Sequence, residues 1–192
     1  DLMRIIAGQC GGAQLYAPRG MDTRPTQDKV KESLFNMLQG QLEDGAALDL
    51  FAGSGALGLE AVSRGASRAV LVDQSREASQ CIRRNIEKLR FQDRAELLTC
   101  DWKQAVSKLA RESRKFDLVF LDPPYRMDDL GPLCDELDGA GLLNPEAVVV
   151  WERRTGTKNE LSPAFALMKQ RAYGDTEMLL YRYEGRAKEE GV

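Results

Sequence analysis

Apolar positions in this chain recur with two alternating periods from about residue 46 onward. Short continuous runs of four to six alternate with stretches whose apolar residues return every third or fourth position. The runs Ala46–Phe51, Arg68–Val72, Ala95–Thr99, Phe116–Leu121 and Ala147–Trp151 predict five strands. The fourth, Phe116–Leu121 (FDLVFL), has the continuous apolar character of a strand buried on both faces of a parallel sheet. Between them, helices are predicted over Gly55–Ser63, Ser75–Phe91, Trp102–Glu112 and Leu130–Asp138. In the second of these Ala78, Ile82, Ile86 and Leu89 form one apolar stripe, and Pro132 restricts the fourth to a first-turn proline. Strand–helix alternation predicts βαβ units and a doubly wound α/β sheet. The pattern then changes. Phe165–Tyr173 and Glu177–Tyr183 flank Gly174-Asp175, which predicts an antiparallel hairpin added to the parallel sheet.

The first 45 residues break the alternation. Arg4–Ala7 and Gln14–Ala17 around Gly11-Gly12 predict a small hairpin. Thr26–Leu38 predicts a helix capped by Thr26, with Asp28 in its first turn and Val30, Leu34, Met37 and Leu38 on its apolar face. The expected organisation is an extension over residues 1–45 packed on a domain over 46–184, then a flexible polar tail over 185–192.

Composition narrows the chemistry. In 192 residues, 43% hydrophobic and 30% charged, there is material for one ordinary globular core. No apolar run approaches the ~20 residues of a membrane span, and residues 1–6 lack the pattern of a secretory signal, so a cytoplasmic protein without membrane contact is expected. The absence of histidine excludes imidazole bases, Ser-His-Asp systems and histidine-bound zinc. Cys10, Cys81, Cys100 and Cys134 contain no C-x-x-C pair, which predicts reduced thiols and no metal site. The net charge of −3 is uneven: residues 1–37 and 151–192 each carry one excess base, leaving the acid in the middle. A polyanion-binding surface would therefore be local and near the termini.

The candidate chemistry lies at strand ends. Leu48–Gly58 joins the first strand to the first helix, and Gly53, Gly55 and Gly58 spell G-x-G-x-x-G. Asp73, 20 residues after Gly53, ends the second strand and can accept both hydroxyls of a ribose. Two ligands compete for this pattern, NAD and S-adenosylmethionine (SAM). A carboxylate at Asp49 would repel a pyrophosphate and attract a sulfonium and an ammonium, which favours SAM. Asp101-Trp102 follows the third strand, where the acid can bond an adenine amino group and the indole can stack on its ring; alternatively Asp101 caps the next helix.

Asp122-Pro123-Pro124-Tyr125 follows the fourth strand. Two prolines remove two N–H donors and leave carbonyls facing the crevice beside a carboxylate and an aromatic ring. This set suits a planar amine: Asp122 and a proline carbonyl accept its N–H groups, and Tyr125 stacks on the attached base. Acceptors out of the base plane free the nitrogen lone pair for attack on a methyl group, so the remaining catalysis is positioning, with no histidine required.

With these motifs the chain resembles the SAM-dependent amino-methyltransferases. Met3–Gly8, Arg24–Asn36 (RPTQDKVKESLFN), Leu48–Gly58 and Asp122–Tyr125 are similar to the bacterial 16S rRNA guanine-N2 methyltransferase family (RsmD-like). The resemblance implies a Rossmann-like class I SAM-dependent methyltransferase fold with a mostly parallel seven-stranded sheet. It implies SAM as methyl donor, S-adenosylhomocysteine as product and no metal. The implied partner is 16S rRNA in a wholly or partly assembled small subunit, met by a monomer. Asp49, Phe51, Ala52, Gly53, Ser54, Gly55, Asp73, Gln74, Asp101 and Trp102 would hold the cofactor; Asp122, Pro123, Pro124 and Tyr125 the guanine amine. Arg4, Arg24, Thr26 and Lys29 would face the RNA. The family's hairpin commonly carries arginines where this chain has Gly11 and Ala13, which removes two phosphate contacts. Three other readings stay open from the residues: an adenine-N6 methyltransferase, an NAD-dependent oxidoreductase, and a non-catalytic ribosome-binding module.

Overall fold

The computed structural model describes residues 3–21, 25–124 and 126–185, with side chains at 25 and 26 excepted. Its elements run α1 (Pro25–Met37), β1 (Ala46–Asp49), α2 (Ala56–Ser63), β2 (Arg68–Val72), α3 (Arg76–Leu89) and β3 (Ala95–Leu98). They continue with α4 (Trp102–Arg111), β4 (Phe116–Leu121), α5 (Gly131–Gly139), β5 (Leu143–Arg154), β6 (Phe165–Tyr173) and β7 (Thr176–Tyr183). One seven-stranded sheet has the order β3-β2-β1-β4-β5-β7-β6. Strands β1 to β5 pair in parallel, and β7 is antiparallel to both β5 and β6. This is the expected Rossmann-like sheet with its C-terminal hairpin.

Both faces of the sheet are covered. One core gathers Leu34, Phe35, Leu59, Ile82, Phe120 and Val150 beneath α1, α2 and α3. The other gathers Val70, Leu109, Val119, Leu137, Trp151 and Leu179 beneath α4 and α5. Residues of one strand alternate between these cores, as a two-residue period requires. The continuous apolar strands are therefore continuous because neither face meets water.

Three boundaries differ from the sequence expectation. First, α1 begins at Pro25, so Thr26 lies inside the helix rather than capping it. A proline preset to helical φ and lacking an N–H suits that first turn. Second, the N-terminal hairpin reduces to one bridge, Arg4↔Gln14. Its ladder is interrupted because the amides of Ile6 and Ala7 donate to the Glu60 carboxylate at 2.8 and 3.1 Å, and that of Cys10 to Ser63 Oγ at 2.9 Å. Third, β5 runs well beyond Ala147–Trp151. Its start is irregular, with Glu146 at φ 66°, and its charged end Glu152–Arg154 pairs with Met178–Thr176. Polarity there marks a rim, not the end of a strand. Arg24, Tyr125 and residues 186–192 lie outside the described residues.

A candidate active site along the strand ends

The sheet order reverses between β1 and its two neighbours β2 and β4. Helices leave the carboxyl ends of these strands toward opposite faces, so a crevice opens there. Every strand entering it ends in an acid or is followed by one: Asp49, Asp73, Asp101, Asp122 and Glu152.

The glycine loop is fixed from beneath. Gly53 and Gly55 take φ of 60° and 82°, the left-handed region that side chains disfavour. Asp73 holds the loop to β2, accepting from Gly53 N and Ser75 N, both at 2.9 Å. Each of its oxygens keeps further acceptor capacity. Asp49 is 1% exposed and accepts from the amides of Gly58, at 3.1 Å, and Phe51. Burial is the main cause that pushes its pKa up to about 7, and the Asp73 charge adds to it. Ser54 is buried and turned away, its hydroxyl donating to Met3 Sδ, so only its backbone borders the loop. Phe51 and Ala52 pack inward, Gln74 is exposed, and Met21 lies against Gly53.

Asp101 caps α4, its Oδ1 accepting from Gln104 N at 2.8 Å, and leaves its other oxygen uncommitted to the helix. Trp102 is half-buried with Lys103 Nζ 5.5 Å from its ring centre. The capping reading of Asp101 therefore holds, and the cap occupies only one of its two oxygens.

These features discriminate between the two nucleoside ligands. The N-terminus of α2, where a pyrophosphate would bind, is already taken by the Asp49 carboxylate through Gly58 N–H. Among the described residues no lysine or arginine forms an ion pair with Asp49 or Asp73. A pair of carboxylates lacking a cation fits a positively charged ligand and opposes a dianionic one.

One strand over, Asp122, Pro123, Pro124, Met127, Glu152 and Thr176 line a cleft of about 200 Å³. Leu121 pairs with Trp151, so the next residues, Asp122 just past the end of β4 and Glu152 on β5, stand side by side. Their carboxyls hydrogen-bond to each other. Solvent reaches Asp122 from the open side of the cleft, while protein crowds its other sides. That crowding, then the charges of Glu152 and Asp49, raises its pKa well above the carboxylate range. Burial raises Glu152 as well. Asp49 thus acts electrostatically on Asp122 and is itself acted on by Asp73, which puts the two halves of the crevice on one edge.

Glu152 was missed by the motif reading, although the same signal that marks Asp122, an acid following an apolar strand, is present after Ala147–Trp151. Asn85 was missed too. It is fully buried on α3, donates to the carbonyls of Ser54 and Tyr16 at 2.9 Å each, and accepts from Tyr16 N at 2.7 Å. It ties the glycine loop to the N-terminal segment.

The basic residues separate. Arg4 is exposed and paired with Asp28 at 3.0 Å. Lys29 lines a groove of about 380 Å³ between α1 and β6, with Glu32, Ser33, Asn36, Lys169 and Arg171. Arg171 donates to Ser33 Oγ at 3.2 Å, and Tyr173 OH lies 2.8 Å from the same oxygen. Arg171 pairs with Met178, and Met178 with Glu152. The groove therefore reaches the rim about two strand spacings, roughly 10 Å, from the cleft.

Comparison with known proteins agrees with this architecture. Residues 3–182 match the family model described as Conserved hypothetical protein 95. The chain is 36% identical over 187 residues to ribosomal RNA small subunit methyltransferase D of Escherichia coli K12, covering 97% of this chain and 92% of that one. It is also 36% identical to YlbH of Bacillus subtilis, covering 95% and 100%. The solved structure of yhhF from E. coli superposes with a TM-score of 0.85 at 35% identity, covering 97% and 100%.

Proposed function

The chain belongs to the Conserved hypothetical protein 95 family, and from that premise we propose that it is a SAM-dependent methyltransferase acting on the N2 amine of a guanine in small-subunit rRNA. The observation that carries the reading is the shared edge: an acid-lined glycine loop without a cationic partner, beside a carboxyl-and-proline cleft. SAM supplies, when bound, an electrophilic methyl group on a sulfonium. Asp73 accepts the ribose hydroxyls, Asp49 sets its charge toward the cationic part, and Asp101 and Trp102 take the adenine. Phe51, Ala52, Gly53, Ser54, Gly55 and Gln74 frame this side.

Asp122 and the Pro123 carbonyl accept the two N–H groups of the guanine amine, holding its lone pair toward the methyl group. Pro124 keeps the turn rigid, and Tyr125 stacks on the base once it leaves its own stack. As the nitrogen gains its methyl, the S–CH3 bond of the donor breaks, S-adenosylhomocysteine leaves, and the nitrogen sheds one proton. The Asp122–Glu152 pair receives it, because carboxylates of raised pKa are the better bases.

The RNA enters along the groove of Lys29, which Lys169 and Arg171 extend toward the cleft. These cations contact phosphates and set register, not sequence. Arg24, Thr26 and Arg4 belong to the same side of the proposal, and so do the assembled subunit as substrate, the monomeric state and a cytoplasmic location. So does the division into an extension over 1–45, a transferase domain over 46–184 and a tail from 185. Among the described residues no helix is long and apolar enough to cross a membrane.

The test is transfer of labelled methyl from SAM to small subunits taken from a strain lacking the enzyme, followed by mass mapping. One N2-methylguanine is expected; label on adenine, or none, would overturn the reading.

A further inference from the structure

The acids of this molecule differ in what satisfies them. Buried Glu60 receives Ile6 N, Ala7 N, Lys31 and Arg64. Buried Glu177 receives Arg153 and Gln170. Asp49, Asp73 and Asp101 each receive backbone amides. Asp122 and Glu152 form neither an ion pair nor a backbone cap among the described residues; within the protein the polar partner of each is the other. A carboxyl–carboxyl bond uses one proton and leaves the remaining lone pairs to solvent, with no donor from the described protein residues. Two acceptors so placed, next to each other at the mouth of a cleft, await a ligand edge that offers N–H groups side by side.

Base chemistry restricts that edge. Guanine carries an exocyclic amine next to a ring N–H. Adenine and cytosine carry their amine next to a bare ring nitrogen, whose lone pair would face a carboxylate. Uracil has no amine. We infer that Glu152 is the specificity-determining residue of the site: its carboxylate accepts the guanine N1–H while Asp122 and the Pro123 carbonyl hold the N2 amine. The base exchanges the mutual contact of the two acids for two N–H···O bonds, and the proton that joined them passes to solvent at the open side of the cleft. The alternative of a merely structural Glu152 gives no reason for leaving it beside Asp122 without an N–H donor, when Glu177, one strand away, has two.

The inference rests on the proposed methyl transfer to guanine and is separable from it. The probe is a reassembled small subunit in which the methylated guanine is replaced by 2,6-diaminopurine, which keeps the N2 amine but has a bare N1. A site built to accept an N–H rejects a ligand that lacks it, so wild-type kcat/KM should favour guanine by at least about 10²-fold. Glu152→Gln can turn its amide N–H toward the bare nitrogen, and the preference should fall by about 10-fold or more, with SAM affinity unchanged as the check on folding. Glu152→Asp keeps a carboxylate; it should lower the rate on guanine but retain the preference, and it decides the matter if the glutamine variant does not fold. A guanine preference unaltered in Glu152→Gln would overturn the assignment while leaving the transferase reading intact. No methylated guanine with the wild-type protein would remove both.

Discussion

The glycine-loop half of the crevice and the proline half present the same residue type in opposite states. On the first, Asp49, Asp73 and Asp101 are each anchored by backbone N–H groups of neighbouring turns. Those bonds fix each carboxylate and its loop before any ligand arrives, the preorganisation that the proposed cofactor role calls for. On the second, Asp122 and Glu152 bond to each other, and burial raises the pKa of both. Prolines have removed the amides that could have anchored them. Under the proposed function this half engages and releases a base from an RNA, so its acceptors are left for donors that come with the substrate. The contrast teaches that the number of acids says little; what each already accepts from decides whether it is scaffold or reagent.

The sharpest break in this comparison is at Asp122. Asp122→Ala should lose about 10²- to 10³-fold in methyl transfer, the scale of removing one preorganised partner of the reacting group, with SAM affinity within about twofold. Radiolabel transfer and calorimetry read the two quantities, and a parallel loss of SAM binding would erase the division between the halves.

The mirror experiment is Asp73→Ala. Two charge-assisted bonds to a ribose are worth enough to weaken SAM binding by about 10- to 100-fold. Because two amides also lose their acceptor, thermal stability should drop in the same variant, unlike in Asp122→Ala. Equal melting temperatures would show that the glycine loop needs no anchor.

Asp49 makes the contrast depend on pH. Its folded pKa of about 7 lies above the ordinary 3.8, so the native protein binds a proton that the unfolded chain releases. The stability this contributes is complete below about pH 4 and is lost as pH rises through 7. A cationic ligand has the opposite preference, since it favours the ionised form. SAM affinity should therefore rise with pH toward neutrality, by up to about tenfold per unit below pH 7, and level off above it. Asp49→Asn should flatten both profiles; an unchanged affinity profile in that variant would assign the titration elsewhere.

The smallest effect belongs to the groove. Removing Lys169 and Arg171 together should reduce the salt dependence of RNA binding by about 0.7 to 0.9 in log–log slope per charge, and leave SAM binding untouched. A slope that does not move would place the RNA on another face.

Much of this was legible in residue order. Strand-run lengths and helix periods located all seven strands of the sheet and five helices, because burial on both faces writes itself into composition. Asp122 was visible through its prolines and Asp73 through its spacing from Gly53. Glu152 was not, since Glu-Arg-Arg after an apolar run looks like the polar end of a strand. Only pairing with β4 puts that glutamate beside Asp122. The N-terminal ladder was overestimated for a similar reason: Glu60, more than 50 residues downstream, takes the amides that a hairpin would have used.

By itself the sequence determined the element types, the parallel core with its appended hairpin, and the chemical character of each strand end, because these follow from local periodicity and from side chains that carry their chemistry with them. The tertiary structure alone decided which acids are already satisfied, which two stand together, and that a groove of Lys29, Lys169 and Arg171 joins helix to edge strand. Hydrogen-bond partners and neighbouring charges come from segments far apart in the chain, and a pattern read along one dimension does not contain the distance between them.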